Sequence, residues 1–186
     1  MKALILEDLD GTEIPGAVEE SFRQAGWQTE TLRPASMKIS PCSGCFHCWV
    51  RTPGICIIPD EGRSVAEACM GADVVALITP VTFGGYSPAI KKMMDRLIPI
   101  LSPFFMKISG ELHHKPRYEK YPALIGIGLL EQKDDVEAAL FSQIIGRNAL
   151  NVHAPWHGAF VLSGGQEYKE AGDYIRSLAP LSKEAA

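Results

Sequence analysis

The sequence predicts an α/β fold, a five-stranded parallel sheet wound on both faces by helices in three layers. Three observations lead there. Along the 186 residues, apolar runs alternate with helical patterns, as successive βα units do. The runs at Ala3, Val74 and Ala123 are apolar throughout, as strands covered on both faces are. The run from Trp27 to Leu32 instead alternates with Gln28 and Glu30, as an edge strand does.

Each element follows in order. Ala3-Leu4-Ile5-Leu6 is the first strand. A helix is expected from about Pro15 to Ala25, with Ala17, Val18, Ser21, Phe22 and Ala25 on one face and Gly26 ending it. The edge strand comes next, then a cysteine-rich loop at 41–59. Asp60 is a candidate cap for a helix reaching about Met70, which Gly71 ends. Asp73 to Thr79 is a buried strand and Pro80 to Tyr86 a loop. Ser87-Pro88 starts a helix carrying Ile90, Met93, Met94, Leu97 and Ile98, and Pro99 stops it. A long irregular loop is expected at 101–122. Ala123 to Leu130 is a strand, and Asp134 to Arg147 a helix with Val136, Leu140 and Ile144 aligned. A last strand lies near Gly158 to Leu162 and a last helix near Glu167 to Leu178. With the second strand at the edge, the order 2-1-3-4-5 fits, the flavodoxin-like doubly wound sheet. The whole chain, 1–186, reads as a single domain of this kind.

Composition excludes several classes. Lys plus Arg is 18 and Asp plus Glu is 22, a net charge of −4, which argues against a nucleic-acid partner. No apolar run approaches the roughly 18 residues of a membrane span. The start, Met1-Lys2-Ala3-Leu4-Ile5-Leu6-Glu7, lacks a signal-peptide apolar core. The expectation is a cytoplasmic protein with no membrane partner.

In such sheets ligands sit outside the carboxyl ends of strands one and three. The loop after strand three, Pro80, Val81, Thr82, Phe83, Gly84, Gly85 and Tyr86, suits a flat aromatic ligand. Its glycines permit close backbone approach and N–H donation to ring carbonyls, and Phe83 and Tyr86 can pack on a ring. An ordinary βα turn, with Gly for geometry and Ser-Pro for capping, explains the same residues equally well.

Thr79-Pro80-Val81-Thr82-Phe83-Gly84-Gly85-Tyr86-Ser87-Pro88-Ala89-Ile90-Lys91, with Asp95-Arg96 downstream, resembles the flavin-ring loop of the NAD(P)H-dependent FMN reductase family. Pro41-Cys42-Ser43-Gly44-Cys45-Phe46-His47-Cys48-Trp49, then Pro53-Gly54-Ile55-Cys56 and Asp60, resembles the iron–sulfur flavoprotein branch of that superfamily. The resemblance covers about Met37 to Ile98. It implies FMN, a nicotinamide substrate and a small electron acceptor.

One loop departs from the family. After strand one, flavin reductases carry a Ser/Thr/Arg/Asn-rich loop for the FMN phosphate. Here it is Glu7-Asp8-Leu9-Asp10-Gly11-Thr12-Glu13. Only Gly11 and Thr12 suit a phosphate, and four carboxylates repel one unless they point away. A solvated turn with Asp10-Gly11 at its tip is the alternative. After strand four, Gly128 either permits ligand approach or is a strand glycine touching a helix.

Cys42, Cys45, Cys48 and Cys56 are spaced C-x2-C-x2-C-x7-C. The spacing is compatible with a [4Fe–4S] cluster, with a zinc tetrahedron, and with free thiols or a disulfide such as Cys48–Cys56. The resemblance raises the cluster reading, while flavodoxin-like relatives can keep such cysteines without metal. Phe46 and Trp49 also read as core anchors of the loop. Cys69 reads as a small buried hydrophobe. His47 is expected to face solvent. Lys115 and Arg117, beside His113 and His114, have the charge for nicotinamide-cofactor phosphates, although a solvated or subunit-contact loop accounts for them more simply. His153 and His157 receive no role. The apolar stretch Leu97 to Met106 predicts a homodimer or tetramer.

The expected function is an FMN-binding NAD(P)H-dependent oxidoreductase. Alternatives are an iron–sulfur flavoprotein electron carrier, and a flavin-free module using the cysteines for metal binding or thiol sensing. The acidic first loop favours the last.

Overall fold

The computed structural model describes residues 1–163 and 168–178. Its elements are β1 (Lys2–Glu7), α1 (Ile14–Gln24), β2 (Gln28–Leu32), a short α2 (His47–Val50), α3 (Gly62–Met70), β3 (Val74–Pro80), α4 (Pro88–Asp95), β4 (Leu101–Ile108), β5 (Glu111–Pro116), β6 (Ala123–Leu130), α5 (Asp135–Asn151), β7 (His157–Ser163) and α6 (Tyr168–Leu178). Glu167, the expected start of the last helix, lies outside the described residues.

Five strands pair in parallel in the order β2-β1-β3-β6-β7. Taken along the main sheet alone, this is the expected 2-1-3-4-5. The central strands are apolar because both faces are covered. Ala3, Ile5, Val74, Ala76, Ile125 and Ile127 pack on α1 and α6 through Val18, Phe22, Ala171 and Ile175. Leu4, Leu6, Val75, Leu77 and Leu124 pack on the other side against Val65 and Cys69 of α3, Ile90 and Met93 of α4, and Phe141 and Ile145 of α5. Full burial raises the Cys69 thiol to about 12, in keeping with a small core residue.

Helix starts obey local chemistry. Ser87 Oγ accepts from Ile90 N–H at 3.2 Å, with Pro88 in the first turn. Asp134 accepts from the N–H groups of Val136 and Glu137. In α5 the buried residues are Phe141, Ile145 and Ala149, whereas Val136 and Leu140 of the expected stripe are exposed.

The stretch 101–122 is not irregular. β4 and β5 form an antiparallel hairpin. Its turn is Ser109-Gly110, both with positive φ (49° and 87°), the two-residue geometry that matches strand twist. A register shift between Leu101 and Phe105 falls at Pro103, which is how a proline enters a two-stranded ribbon. Nor is Leu97 to Met106 a continuous exposed patch. Leu97, Pro99, Ile100 and Leu101 are buried, and Phe104 and Phe105 are exposed. Among the described residues no helix is long and apolar enough to cross a membrane.

Candidate functional site

The parallel pairing of β1, β3 and β6 sets their following loops side by side. In the first loop two of the four carboxylates, Glu7 and Asp10, share a cationic partner. Glu7 is buried, its carboxylate pairs with Arg33, and its Oε2 accepts from Leu9 N–H. Arg33 also reaches Asp10 Oδ1 and the Leu9 carbonyl, both at 3.0 Å. Glu7 first, and then Asp10, raises the Arg33 pKa. Two of the four carboxylates thus share one guanidinium, which offsets one of their two charges. Gly11, at φ +70° with open space around it, and Thr12 are exposed at the tip.

The loop after β3 differs from expectation in its details. Thr82 and Gly85 exchange backbone hydrogen bonds at 3.0 and 2.9 Å, closing a turn with Phe83 (φ 49°) and Gly84 (φ 73°) at its tip. Gly85 N–H is therefore engaged, and Gly84 N–H donates to Glu137 Oε2 at 3.4 Å. These donors do not face an open site. Gly84 is needed for a different reason, since a Cβ there would lie 2.7 Å from Leu140 Cβ. Tyr86 is a core residue rather than a ring-packing one. It is buried edge-on to Phe141, and its hydroxyl accepts from Asn148 Nδ2 at 2.8 Å. Burial pushes its pKa to about 12. Thr82 and Phe83 are exposed, and Pro80 and Val81 half-buried. A Cβ on Gly128 would meet Val81 Cγ2 at 2.5 Å and Phe141 at 3.1 Å, so this glycine serves strand–helix packing.

The cysteine segment is closed at its base by one buried arginine. Arg96 is 1% exposed. It bonds Asp60 through both terminal nitrogens, at 2.9 and 2.7 Å, and its Nη1 also donates to the Ser40 carbonyl at 2.6 Å. Asp60 in turn accepts from Ser40 N–H at 2.8 Å and Gly62 N–H at 3.0 Å. Both ends of the 41–59 loop thus meet on one ion pair. Arg96, and then the two N–H groups, hold the Asp60 carboxyl well below the usual carboxylate range against the effect of burial. Asp60 does accept from Gly62 N–H at the start of α3, but its main partner is Arg96. The pair was missed in the sequence because two residues on separate elements carry no periodic signal, although each stands in a quoted motif.

Within the loop, Cys42, Cys45, Cys48 and Cys56 line one cavity of about 280 Å³, with Ile57, Ile58, Ile98, Pro99 and Arg96 in its wall. All five cysteines are free, so Cys48 and Cys56 form no disulfide. Burial, and then Cys56, Cys42 and Cys45 in that order, raise the Cys48 thiol. The backbone of His47 and the Ser43 hydroxyl lower Cys45. Among the described residues no group of three or more His, Cys, Asp or Glu is placed to hold a single metal ion. One buried donor at the cavity has no partner, Arg96 Nε; such a group costs about 1–3 kcal/mol.

An aromatic ladder fixes this loop to the hairpin. Phe46 stacks on Trp49 at 5.2 Å, Trp49 lies 4.7 Å from His114, and His114 lies 4.6 Å from Phe105. Trp49 Nε1 donates to the Leu101 carbonyl at 3.1 Å. His47 does not simply face solvent, since its Nδ1 is buried and unpartnered. Arg117 is occupied at the hairpin base, where it donates to the carbonyls of Pro99 and Leu101. Its guanidinium is not held out for a cofactor phosphate. His113 contacts Asn151 and Glu111, and His153 contacts the His114 carbonyl.

The sequence profile of the family described as NADPH-dependent FMN reductase matches residues 14–163. The chain belongs to that family. Over 86 residues it is 29% identical to an iron–sulfur flavoprotein of Methanosarcina thermophila, which covers 46% of this chain and 44% of the relative. Over 87 residues it is 33% identical to an iron–sulfur flavoprotein of Methanocaldococcus jannaschii, covering 47% and 44%. The match thus spans under half the length of these curated relatives. Among solved structures, an NAD(P)H:quinone oxidoreductase from Methanothermobacter marburgensis superposes with a TM-score of 0.70 at 14% identity, over 96% of this chain and 97% of the other. An FMN-dependent NADH-azoreductase from Bacillus anthracis, in complex with FMN, gives 0.66 at 13% identity, over 100% and 99%. At such identities these two likenesses speak for the fold.

Proposed function

We propose that the chain is an FMN-binding oxidoreductase that draws electrons from NAD(P)H and passes them to a small acceptor, and that Cys42, Cys45, Cys48 and Cys56 hold a [4Fe–4S] cluster. The observation that carries the reading is that all four cysteines of the C-x2-C-x2-C-x7-C segment line one cavity, in a chain of a flavin-reductase family. A single zinc ion needs its four ligands at about 2.3 Å from one point. A four-iron cluster spreads its thiolates around a larger volume, and the Arg96 charge offsets theirs.

Bound FMN would supply the hydride chemistry, taking electrons from the nicotinamide and handing them on. The chain's own part is to bind and orient. Gly11 and Thr12 would meet the phosphate, with Arg33 masking Glu7 and Asp10. Pro80, Val81, Thr82 and the exposed Phe83 would meet the ring. The flavin-free reading drew on repulsion by the acidic loop, and the Arg33 pairing offsets one of its four negative charges.

The test is iron, sulfide and flavin analysis after anaerobic purification, beside a Cys45→Ser variant. About four irons per chain, lost in the variant, with flavin retained in both, is the expected result. Flavin without iron would leave a plain reductase with structural cysteines. Neither group bound would leave the flavin-free reading.

We also propose a homodimer or tetramer assembled through the hairpin. Phe104, Phe105 and Leu112 are 68%, 60% and 70% exposed on a two-stranded ribbon, and a lone ribbon of that kind is marginal in water.

A further inference from the structure

We infer that Arg96, besides closing the loop, donates its Nε–H to the sulfur of the group the cysteines hold, and is the positioning residue that sets that group's reduction potential. The inference rests on the cluster reading proposed above. Arg96 is the largest of the fully buried side chains among the described residues. Asp60 takes the end-on edge of its guanidinium through Nη1 and Nη2. The Nε–H points along a side edge that Asp60 does not reach, and there it is buried and unpartnered. Burial of a charged group with an open donor calls for an acceptor.

The surroundings say which acceptor. Arg96 lines the same cavity as all four cysteines. The Cys56 thiol lies within interaction range of the guanidinium. Cys56 and Arg96 also both border a second cavity of about 460 Å³ on the α3 side, so the two groups stand together in the wall between the spaces. A thiolate-bound cluster becomes more negative on reduction. An N–H donated to its sulfur, and a positive charge beside it, favour the reduced form and raise the potential. Closing the loop needs only the Nη atoms. Tuning needs Nε, and the two roles separate by variant.

The test uses the whole chain, ¹⁵N-labelled at arginine and reconstituted anaerobically with iron and sulfide. Pulsed electron paramagnetic resonance on the reduced protein should show one arginine ¹⁵N coupled to the unpaired spin. The coupling should persist in Arg63→Lys and vanish in Arg96→Lys. The midpoint potential should fall in Arg96→Lys. It should not fall in Asp60→Asn, which loosens the clamp but leaves Nε–H and the charge. An iron-loaded protein without the coupling, or an Arg96→Lys protein with an unchanged potential, overturns the inference. If Arg96→Lys does not fold, the coupling in the parent and in Arg63→Lys decides alone. A parent chain that takes up no iron or sulfide fails earlier and differently, because the reading of the cysteines then falls and this inference falls with it.

Discussion

Arg96 and Asp60, 36 positions apart, form a two-bonded ion pair in which Asp60 accepts from the N–H of Ser40 and Arg96 donates to its C=O. Replacing Asp60 by Asn leaves a guanidinium buried to 1% exposure without its counter-charge. Breaking one partner of such a pair costs about 3 kcal/mol, read as a lower denaturant midpoint. The folded-state pKa of Asp60 is depressed. Its contribution is therefore fully present above the unfolded value of about 3.9 and is lost as pH falls through the folded value. The stability gap between parent and Asp60→Asn should be flat from neutral pH down to about pH 5 and should narrow below about pH 4. A gap that widens in acid would contradict the assignment.

Gly84 and Gly85 should respond oppositely. Gly84→Ala forces a residue with φ +73° and a Cβ against Leu140 at 2.7 Å, which should lower stability by about 1–3 kcal/mol. Gly85 has ordinary contacts, the nearest being the Thr82 carbonyl at 3.5 Å. Gly85→Val should therefore fold with an unchanged circular dichroism spectrum. If the Thr82–Gly85 turn lies on the flavin ring, that variant loses flavin on gel filtration. Unchanged flavin affinity would remove the turn from the site.

Arg33→Gln releases the charges of Glu7 and Asp10 beside Gly11 and Thr12. FMN affinity should fall about ten-fold, a change of about 1.4 kcal/mol, and added salt should partly restore it. Riboflavin, which lacks the phosphate, should bind the variant and the parent alike. Equal losses for both ligands would mean that the first loop does not meet the phosphate.

Phe104→Ser with Phe105→Ser should shift sedimentation at micromolar concentration toward the monomer, leaving the thermal transition of the sheet within a few degrees. A parent chain that is already monomeric would count against assembly through the hairpin.

The strand order was readable because the central strands are apolar on both faces and β2 alternates; periodicity reports burial directly. The caps at Ser87 and Asp134 were readable because capping is local. The hairpin was not read, because two prolines and a Ser-Gly turn weigh against a strand when pairing is unseen. Tyr86 was read as a ligand contact, since nothing in the sequence shows that Asn148, 62 positions away, takes its hydroxyl. The cysteine positions were plain. Their shared cavity depends on the Arg96–Asp60 closure, a long-range contact that leaves no spacing rule.

That closure has a mechanical consequence. Because Ser40 and Asp60 are tied at one point, the segment between them leaves and re-enters the fold at one place, while Arg63 of α3 holds the Cys56 and Ile57 carbonyls and the aromatic ladder holds its other side to the hairpin. Lengthening a closed loop is cheap, about 0.6 kcal/mol for each doubling. Residues inserted near Pro53-Gly54 should leave the spacing of β2 and α3 unchanged, because Ser40 and Asp60 still meet on Arg96.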